Sequence, residues 1–166
     1  MALENSIITA VSTLLAVGIT LFFTTKREKS KFMQDIKLKE FIDLEAFYVN
    51  LISSIEKAKS YTKRGDDYKE LLHENSILSA KANLLAPNSI NEQLGKVSAL
   101  MYEWSSYYRE SLPTKIGDTG FGMVTNTDFK FRDKADEVYP NLNREIGKLI
   151  ELIKEEINTQ KKLLNK

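Results

Sequence analysis

The sequence predicts an all-α protein, in which an N-terminal transmembrane helix is followed by an antiparallel bundle of about four helices. Residues 6–23 carry no charge. Downstream, apolar residues recur at spacings of three and four, which is the period of one helix face. The chain contains only seven Gly and three Pro, and no low-complexity linker interrupts it. Helices that are joined by short connections most simply pack as an antiparallel bundle.

The first element is a membrane anchor over residues 1–25. A helix from Ser6 to Thr25 would be roughly 30 Å long, the thickness of the hydrocarbon core of a bilayer. A cleaved signal peptide would need a basic N-terminal region and a small-x-small exit. The flanking segments MALEN and FFTTKREK provide neither. We therefore expect a retained span, and the alternative is a buried core helix.

Basic residues next to the span predict its orientation. No Lys or Arg precedes it, whereas Lys26, Arg27, Lys29 and Lys31 follow directly. The positive-inside rule then places the N-terminus outside and the C-terminal domain in the cytoplasm, at the inner (cytoplasmic) membrane. The same basic residues could also contact anionic lipid head groups.

Small and hydroxylated residues form a stripe within the span and indicate a possible homo-oligomer. Their spacings of four, three and four put them on one face, where they would let two helices approach closely: Thr9, Thr13, Ala16 and Thr20. The alternative is that the hydroxyl groups bond to their own backbone.

The remainder, residues 26–166, has the length of one helical domain. We expect its helices at about 28–63, 67–85, 89–111 and 127–164. The sequence KRGD should end the first of these, and Ser89 with Glu92 has the spacing of a capping box at the start of the third. Pro140 lies within the last helix and should kink it or split it in two. A loop with three glycines, from Thr114 to Asn126, connects the third and fourth helices.

Charge and cysteine content exclude several classes of function. Lys plus Arg number 24 against 23 for Asp plus Glu, so the chain lacks the positive field of a nucleic-acid-binding protein. It has no cysteine, which excludes disulfides, thiolate metal ligands and a cysteine nucleophile. We expect no cofactor and no nucleic-acid partner.

A metal site is the main catalytic alternative. Glu70 and His73 have the E-x-x-H spacing of di-iron helical bundles, which places a carboxylate and an imidazole on one face. Such a site needs two copies of the motif, and His73 is the one histidine in the sequence. A homodimer could supply the second copy, with Glu45 or Glu103 as further ligands. The plainer interpretation is a surface histidine.

The end of the third helix and the glycine loop are the predicted partner surface. They contribute aromatic, basic and apolar side chains that are common in interfaces: Tyr107, Tyr108, Arg109, Ile116, Phe121 and Met123. Aromatic residues at helical spacing can equally be core, and a long loop can be packed by its own side chains.

The segment LLAPNSINEQL at residues 84–94 and the segment LMYEW at residues 100–104 resemble small uncharacterised bacterial proteins. Those proteins have a single N-terminal span, a long helix, and a helical hairpin broken by a short polar turn. The resemblance implies a single-pass membrane protein with a helical cytoplasmic domain, and it implies no activity.

The expected function is therefore a single-pass, membrane-anchored helical protein-interaction or scaffold module without catalysis. Its expected partners are the lipid bilayer, an unidentified protein and further copies of itself. Two alternatives remain open at this point. One is a membrane-bound di-metal enzyme that uses Glu70 and His73, and the other is a phage or mobile-element protein that disturbs the cell envelope.

Overall fold

A computed structural model describes the backbone of residues 2–66, 69–115 and 122–164, and the side chains of 20–66, 73–113 and 122–164. Four α-helices account for most of these residues: α1 (Ala2–Arg64), α2 (Lys69–Leu85), α3 (Asn88–Glu110) and α4 (Asn126–Leu164). The predicted all-α class is confirmed. The predicted bounds of the last three helices lie within two residues of the observed ones.

The first helix is longer than any single predicted element, because the predicted anchor and the first domain helix form one uninterrupted helix of 63 residues. At 1.5 Å per residue it is about 95 Å long. No helix in the described part of the chain has a stretch long and apolar enough to cross a membrane. Most of the predicted anchor, residues 1–19, lies outside the described side chains.

A glycine turn ends α1. The Gly65 N–H donates to the Thr62 carbonyl and the Asp66 N–H to the Tyr61 carbonyl, each at 3.1 Å, which is the hydrogen-bond pattern of a Schellman motif. Gly65 has a φ of 71°, a left-handed conformation that costs glycine little. The predicted KRGD stop is therefore where the chain turns towards α2.

Side-chain pairs show that neighbouring helices run antiparallel. Gln93 on α3 bonds to Glu145 on α4, whereas Trp104, further along α3, packs against Tyr139, which comes earlier on α4. An ion pair of 3.7 Å between Lys57 and Glu74 likewise links the end of α1 to the start of α2. The four helices therefore alternate in direction around one core, as expected.

The core draws on all four helices. Among the described side chains, the buried apolar ones of α1 begin at Phe47, in its C-terminal third, and Ala82 is the one that α2 contributes. The buried apolar set is Phe47, Tyr48, Leu51, Ile55, Ala82, Ile90, Leu94, Val97, Trp104, Ala135, Leu142, Ile146, Leu149 and Ile153. Residues 20–35 of α1 are exposed on every side.

The predicted capping box at Ser89 and Glu92 is wrong. Helix α3 begins at Asn88 with Pro87 as its N-cap and has no side-chain cap hydrogen bond. The reason is that Pro87, two residues before Ser89, has its φ angle fixed by its ring and acts as the N-cap. Ser89 therefore already lies inside the first turn of α3.

A reciprocal cap forms instead at the start of α4. The Thr125 N–H donates to Asp128 Oδ2 at 2.7 Å, and the Asp128 N–H donates to Thr125 Oγ1 at 3.3 Å. This T-x-x-D arrangement satisfies a free donor at each position and places a carboxylate at the positive end of the helix.

Helix α4 continues through Pro140 without a break, so the prediction of a split is wrong. A proline removes one backbone hydrogen bond and crowds the preceding turn. Here Leu142, Ile146 and Leu149, which follow it directly, are buried against the other helices. Tertiary packing of this face keeps the helix intact across the proline.

The glycine loop contains a short antiparallel pair that was not predicted. Strand β1 (Thr114–Lys115) pairs with strand β2 (Gly122–Met123), and Thr114 lies opposite Met123. A side chain at Gly122 would place its Cβ 2.7 Å from Pro113 Cβ, so this close approach requires glycine. Residues 116–121 lie outside the described part.

A buried polar contact crosses from α3 to α4. Gln93 Nε2 donates to the backbone carbonyl and to Oε2 of Glu145, each at 2.9 Å. Lys148 Nζ contacts Glu145 Oε1 at 2.7 Å, and Arg144 approaches the same oxygen at 3.3 Å. The Gln93 hydrogen bond, followed by the bonds from Lys148 and Arg144, lowers the pKa of Glu145 to about 2.

This contact predicts an acid-sensitive stability. Because the pKa of Glu145 falls from 4.5 to about 2 on folding, its contribution is present above pH 4.5 and is lost as the pH falls towards 2. Urea unfolding followed by circular dichroism, repeated between pH 7 and pH 2.5, should show this loss. The Glu145→Gln variant should have a shallower acid limb, and an unchanged limb would contradict the assignment.

Two helical glycines predict a gain in stability. A Cβ added at Gly95 or at Gly147 would meet no atom within 4 Å, so alanine fits both sites. Each substitution should raise the free energy of unfolding by about 0.5–1 kcal/mol, since glycine is a poor helix former. Gly65→Ala is the matched control: it should destabilise the fold, because φ is positive there and the new Cβ would lie 3.0 Å from Leu112 Cδ1.

Candidate functional site

One end of the bundle brings together the turn after α1, the end of α3, the strand pair and the start of α4. We call it the distal end, since it lies farthest from the N-terminus of α1. Arg109 Nη2 donates to the Asp66 carbonyl at 2.8 Å and so joins the end of α3 to the turn after α1. Two of these connections are thus fixed to each other by a charge-assisted hydrogen bond.

Aromatic rings fill the interior of the distal end. Trp104 is only 1% exposed, and its ring centroid lies 5.4 Å from that of Tyr108 and 5.2 Å from that of Tyr139. Tyr107 stacks on Phe131 of α4 at 6.4 Å. Trp104 is therefore a core residue, whereas Tyr107 and Tyr108 are half-buried and each presents part of its ring at the surface.

Cationic side chains cover the outer faces of these rings. The Arg132 guanidinium lies 4.5 Å from the Tyr108 ring centroid, and Lys134 Nζ lies 5.3 Å from that of Tyr107. Such cation–π pairs contribute about 0.5–1 kcal/mol at exposed sites. They also hold the tyrosines in fixed orientations.

A second cationic contact changes the acidity of a phenol. Lys63 Nζ donates to the Tyr139 hydroxyl oxygen at 3.1 Å and lies 4.8 Å from the centroid of the same ring. This hydrogen bond is the main reason that the pKa of Tyr139 is lowered, and the positive charge of Lys59 acts in the same direction. The end of α1 is thereby coupled to the middle of α4.

Among the described residues of the distal end, three large apolar side chains are more than half exposed. Met123 is 57% exposed, Val124 52% and Phe129 60%, and they occur within seven consecutive residues. Phe129 was missed as a site residue. Helical spacing is the signal that could have found it, because Phe131 is half-buried against Tyr107 and a residue two positions away on a helix points to nearly the opposite side.

The predicted partner-surface residues divide into three groups. Tyr107, Tyr108 and Arg109 lie together near the end of α3, and Met123 is exposed on β2. Ile116 and Phe121 lie outside the described residues. The strand pair connects the described members to the start of α4.

Of the alternative metal pair, Glu70 and His73, only His73 has a described side chain. His73 is exposed on α2, and the side chain of Glu70 lies outside the described part. Among the described residues, no group of three or more His, Cys, Asp or Glu side chains could hold a metal ion.

The basic segment after the predicted anchor is fully exposed and is approached by the end of α4. Lys26, Arg27, Lys29 and Lys31 all face solvent. The groove between the two helices is lined by Ser30, Met33 and Lys37 of α1 and by Lys161 and Leu163 of α4. Lys161, from the far end of the sequence, therefore lies near this segment, a proximity that local sequence patterns do not contain.

Comparison with known proteins gives no assignment. No protein-family model matches the chain, and no curated protein or solved structure matches it significantly.

Proposed function

We propose that the protein is a single-pass, membrane-anchored helical module that binds another protein through the distal end of its bundle. The observation that carries this proposal is the exposure of three apolar side chains, Met123, Val124 and Phe129, on the segment that leads into α4. The next turn of α4 carries Arg132, which lies over the half-buried Tyr108. Exposed apolar groups next to oriented aromatic and arginine side chains are typical of interface cores.

The preorganisation of this end also favours binding. Arg109 is bonded to the Asp66 carbonyl, and Tyr108 lies beneath Arg132. Side chains that are already held in place lose little conformational entropy when a partner binds. The distal end therefore combines apolar area with a low ordering cost.

The membrane part of the proposal rests on the uncharged run of residues 6–23 and on the basic residues after it. The exposure of residues 20–35 is compatible with it, and the end of α4 approaches this part of α1 only from Ser30 onwards. In this arrangement the inner membrane holds residues 1–25 and the domain lies in the cytoplasm. Self-association through the stripe of Thr9, Thr13, Ala16 and Thr20 belongs to the same proposal.

Topology can be tested because the chain has no natural cysteine. We expect a single cysteine at Asn5 to react with a membrane-impermeant thiol reagent in intact cells. A single cysteine at the exposed Glu103 should react only after the cells are opened. Labelling of Glu103→Cys in intact cells would reverse the orientation, and recovery of the protein in the soluble fraction would exclude the anchor.

Partner binding can be tested by site-specific photo-crosslinking in cells. A photoreactive residue at position 123 or 129 should crosslink the same protein, whereas one at Leu84, which is 84% exposed at the other end of the bundle, should not.

For the variants, the photoreactive residue is placed at position 124. The Met123→Ser and Phe129→Ser substitutions should each reduce crosslinking to the partner protein several-fold, because they remove apolar area from the contact. Circular dichroism should show unchanged helix content, since both side chains are mainly exposed. Equal crosslinking from position 84, or no effect of the two variants, would contradict the proposed surface.

A further inference from the structure

A cavity of about 240 Å³ lies between α1, α2 and α3, away from the distal surface. Leu51 and Ile55 of α1 and Val97 of α3 line it and are each less than 9% exposed, so they form its floor. Native cores contain few voids larger than a water molecule. An opening of this size is therefore a feature of the bundle that needs an explanation.

The mouth of the cavity is polar and open. Ser79 of α2 and Ser98 of α3 line it and are exposed, and Tyr102, also in the lining, is 78% exposed. A ligand could therefore enter from solvent between α2 and α3 without separating the buried core. The apolar floor would cover most of its surface.

The lining selects for an uncharged ligand. None of the described residues that line the cavity carries a charge. A charged group brought there would lose its hydration without gaining an ionic partner, which is strongly unfavourable. Ligand sites that are mostly apolar with a few polar groups are the common type for small molecules.

One polar side chain in the lining is fixed and can orient a ligand. Asn75 is half-buried, and its Oδ1 accepts a hydrogen bond from the buried hydroxyl of Ser54. This contact uses only part of the carboxamide, which has two N–H donors and a second lone pair on the oxygen. The side chain can thus bond to a hydroxyl or carbonyl group of a ligand.

Size sets the remaining limit. An apolar cavity of about 150 Å³ stays dry and accepts benzene, which has six heavy atoms. On the same scale, the cavity accommodates a molecule of about ten heavy atoms.

We propose that this cavity is a binding site for a small, neutral, largely apolar molecule with one hydrogen-bonding group, which bonds to Asn75. The inference goes beyond the proposed partner binding and does not depend on it, because Met123, Val124 and Phe129 do not line the cavity.

The test is a fluorescence titration of 2-naphthol, which is neutral at pH 7, into the whole 166-residue chain in lipid nanodiscs, with empty nanodiscs as the baseline. The matched anionic probe is 2-naphthoate. We expect saturable binding of 2-naphthol at one site per chain and at least tenfold weaker binding of 2-naphthoate, because none of the described lining residues is cationic.

Variants locate the site. Ala58 lines the cavity, and Ala58→Leu should fill it and weaken 2-naphthol binding at least tenfold. Ala80→Leu is the matched control, since Ala80 is exposed on α2 outside the lining, and it should leave binding unchanged. If Ala58→Leu loses helix content, Ser79→Leu takes its place. Ser79 is exposed, so its enlargement narrows only the mouth of the cavity and should weaken 2-naphthol binding without loss of helix content.

Three results would overturn the proposal. The first is non-saturable binding of 2-naphthol, equal to that of empty nanodiscs. The second is equal affinity for 2-naphthol and 2-naphthoate. The third is unchanged 2-naphthol binding by an Ala58→Leu variant that keeps its helix content. A partner crosslink that persists alongside any of these results would show that the cavity inference has failed while the proposed partner surface stands.

Discussion

Burial of one face of α1 between Phe47 and Thr62 is the constraint on which the rest of the structure depends. This face supplies Tyr48, Leu51 and Ile55 to a core that the other three helices complete. Since burying a large apolar side chain contributes about 1.5–3 kcal/mol, this strip outweighs the capping and surface contacts of the same helix. It also determines where the bundle begins along α1, of which residues 20–35 are exposed.

The same face places a phenol in the core. Tyr48 is 1% exposed, and within the described residues its hydroxyl has no hydrogen-bond partner. Burial raises the pKa of Tyr48 to about 12, and the charge of Glu156 on α4 adds to this effect. The ring is thus held neutral at physiological pH, and its area, rather than its hydroxyl group, accounts for its contribution to packing.

The sequence allowed the helices to be predicted because their cause is local. Apolar spacing on α1 and the glycine at position 65 sufficed to place a helix and its end. Neighbouring residues decided two local features: Pro87 displaced the cap expected at Ser89, and of the kink or split expected at Pro140 the split does not occur, because packing keeps α4 intact.

The sites depend on contacts that no local pattern specifies. The pairing of Gln93 with Glu145 joins residues 52 positions apart, and the cavity is formed by three helices whose spacing follows from their joint packing. The hydrogen bond from Arg109 to the Asp66 carbonyl likewise joins residues 43 positions apart. Tertiary geometry carried the missing information in each case.

The continuity of α1 has a mechanical consequence. Its backbone hydrogen bonds run without interruption from Ala2 to Arg64, and the strip that it buries is fixed against three other helices. A continuous helix resists twisting and bending far more than two helices joined by a flexible linker. The helix would therefore act as a rigid rod. A rotation or an axial shift of its first turns would reach the bundle, where it would change how the buried side chains of α1 pack against the other helices.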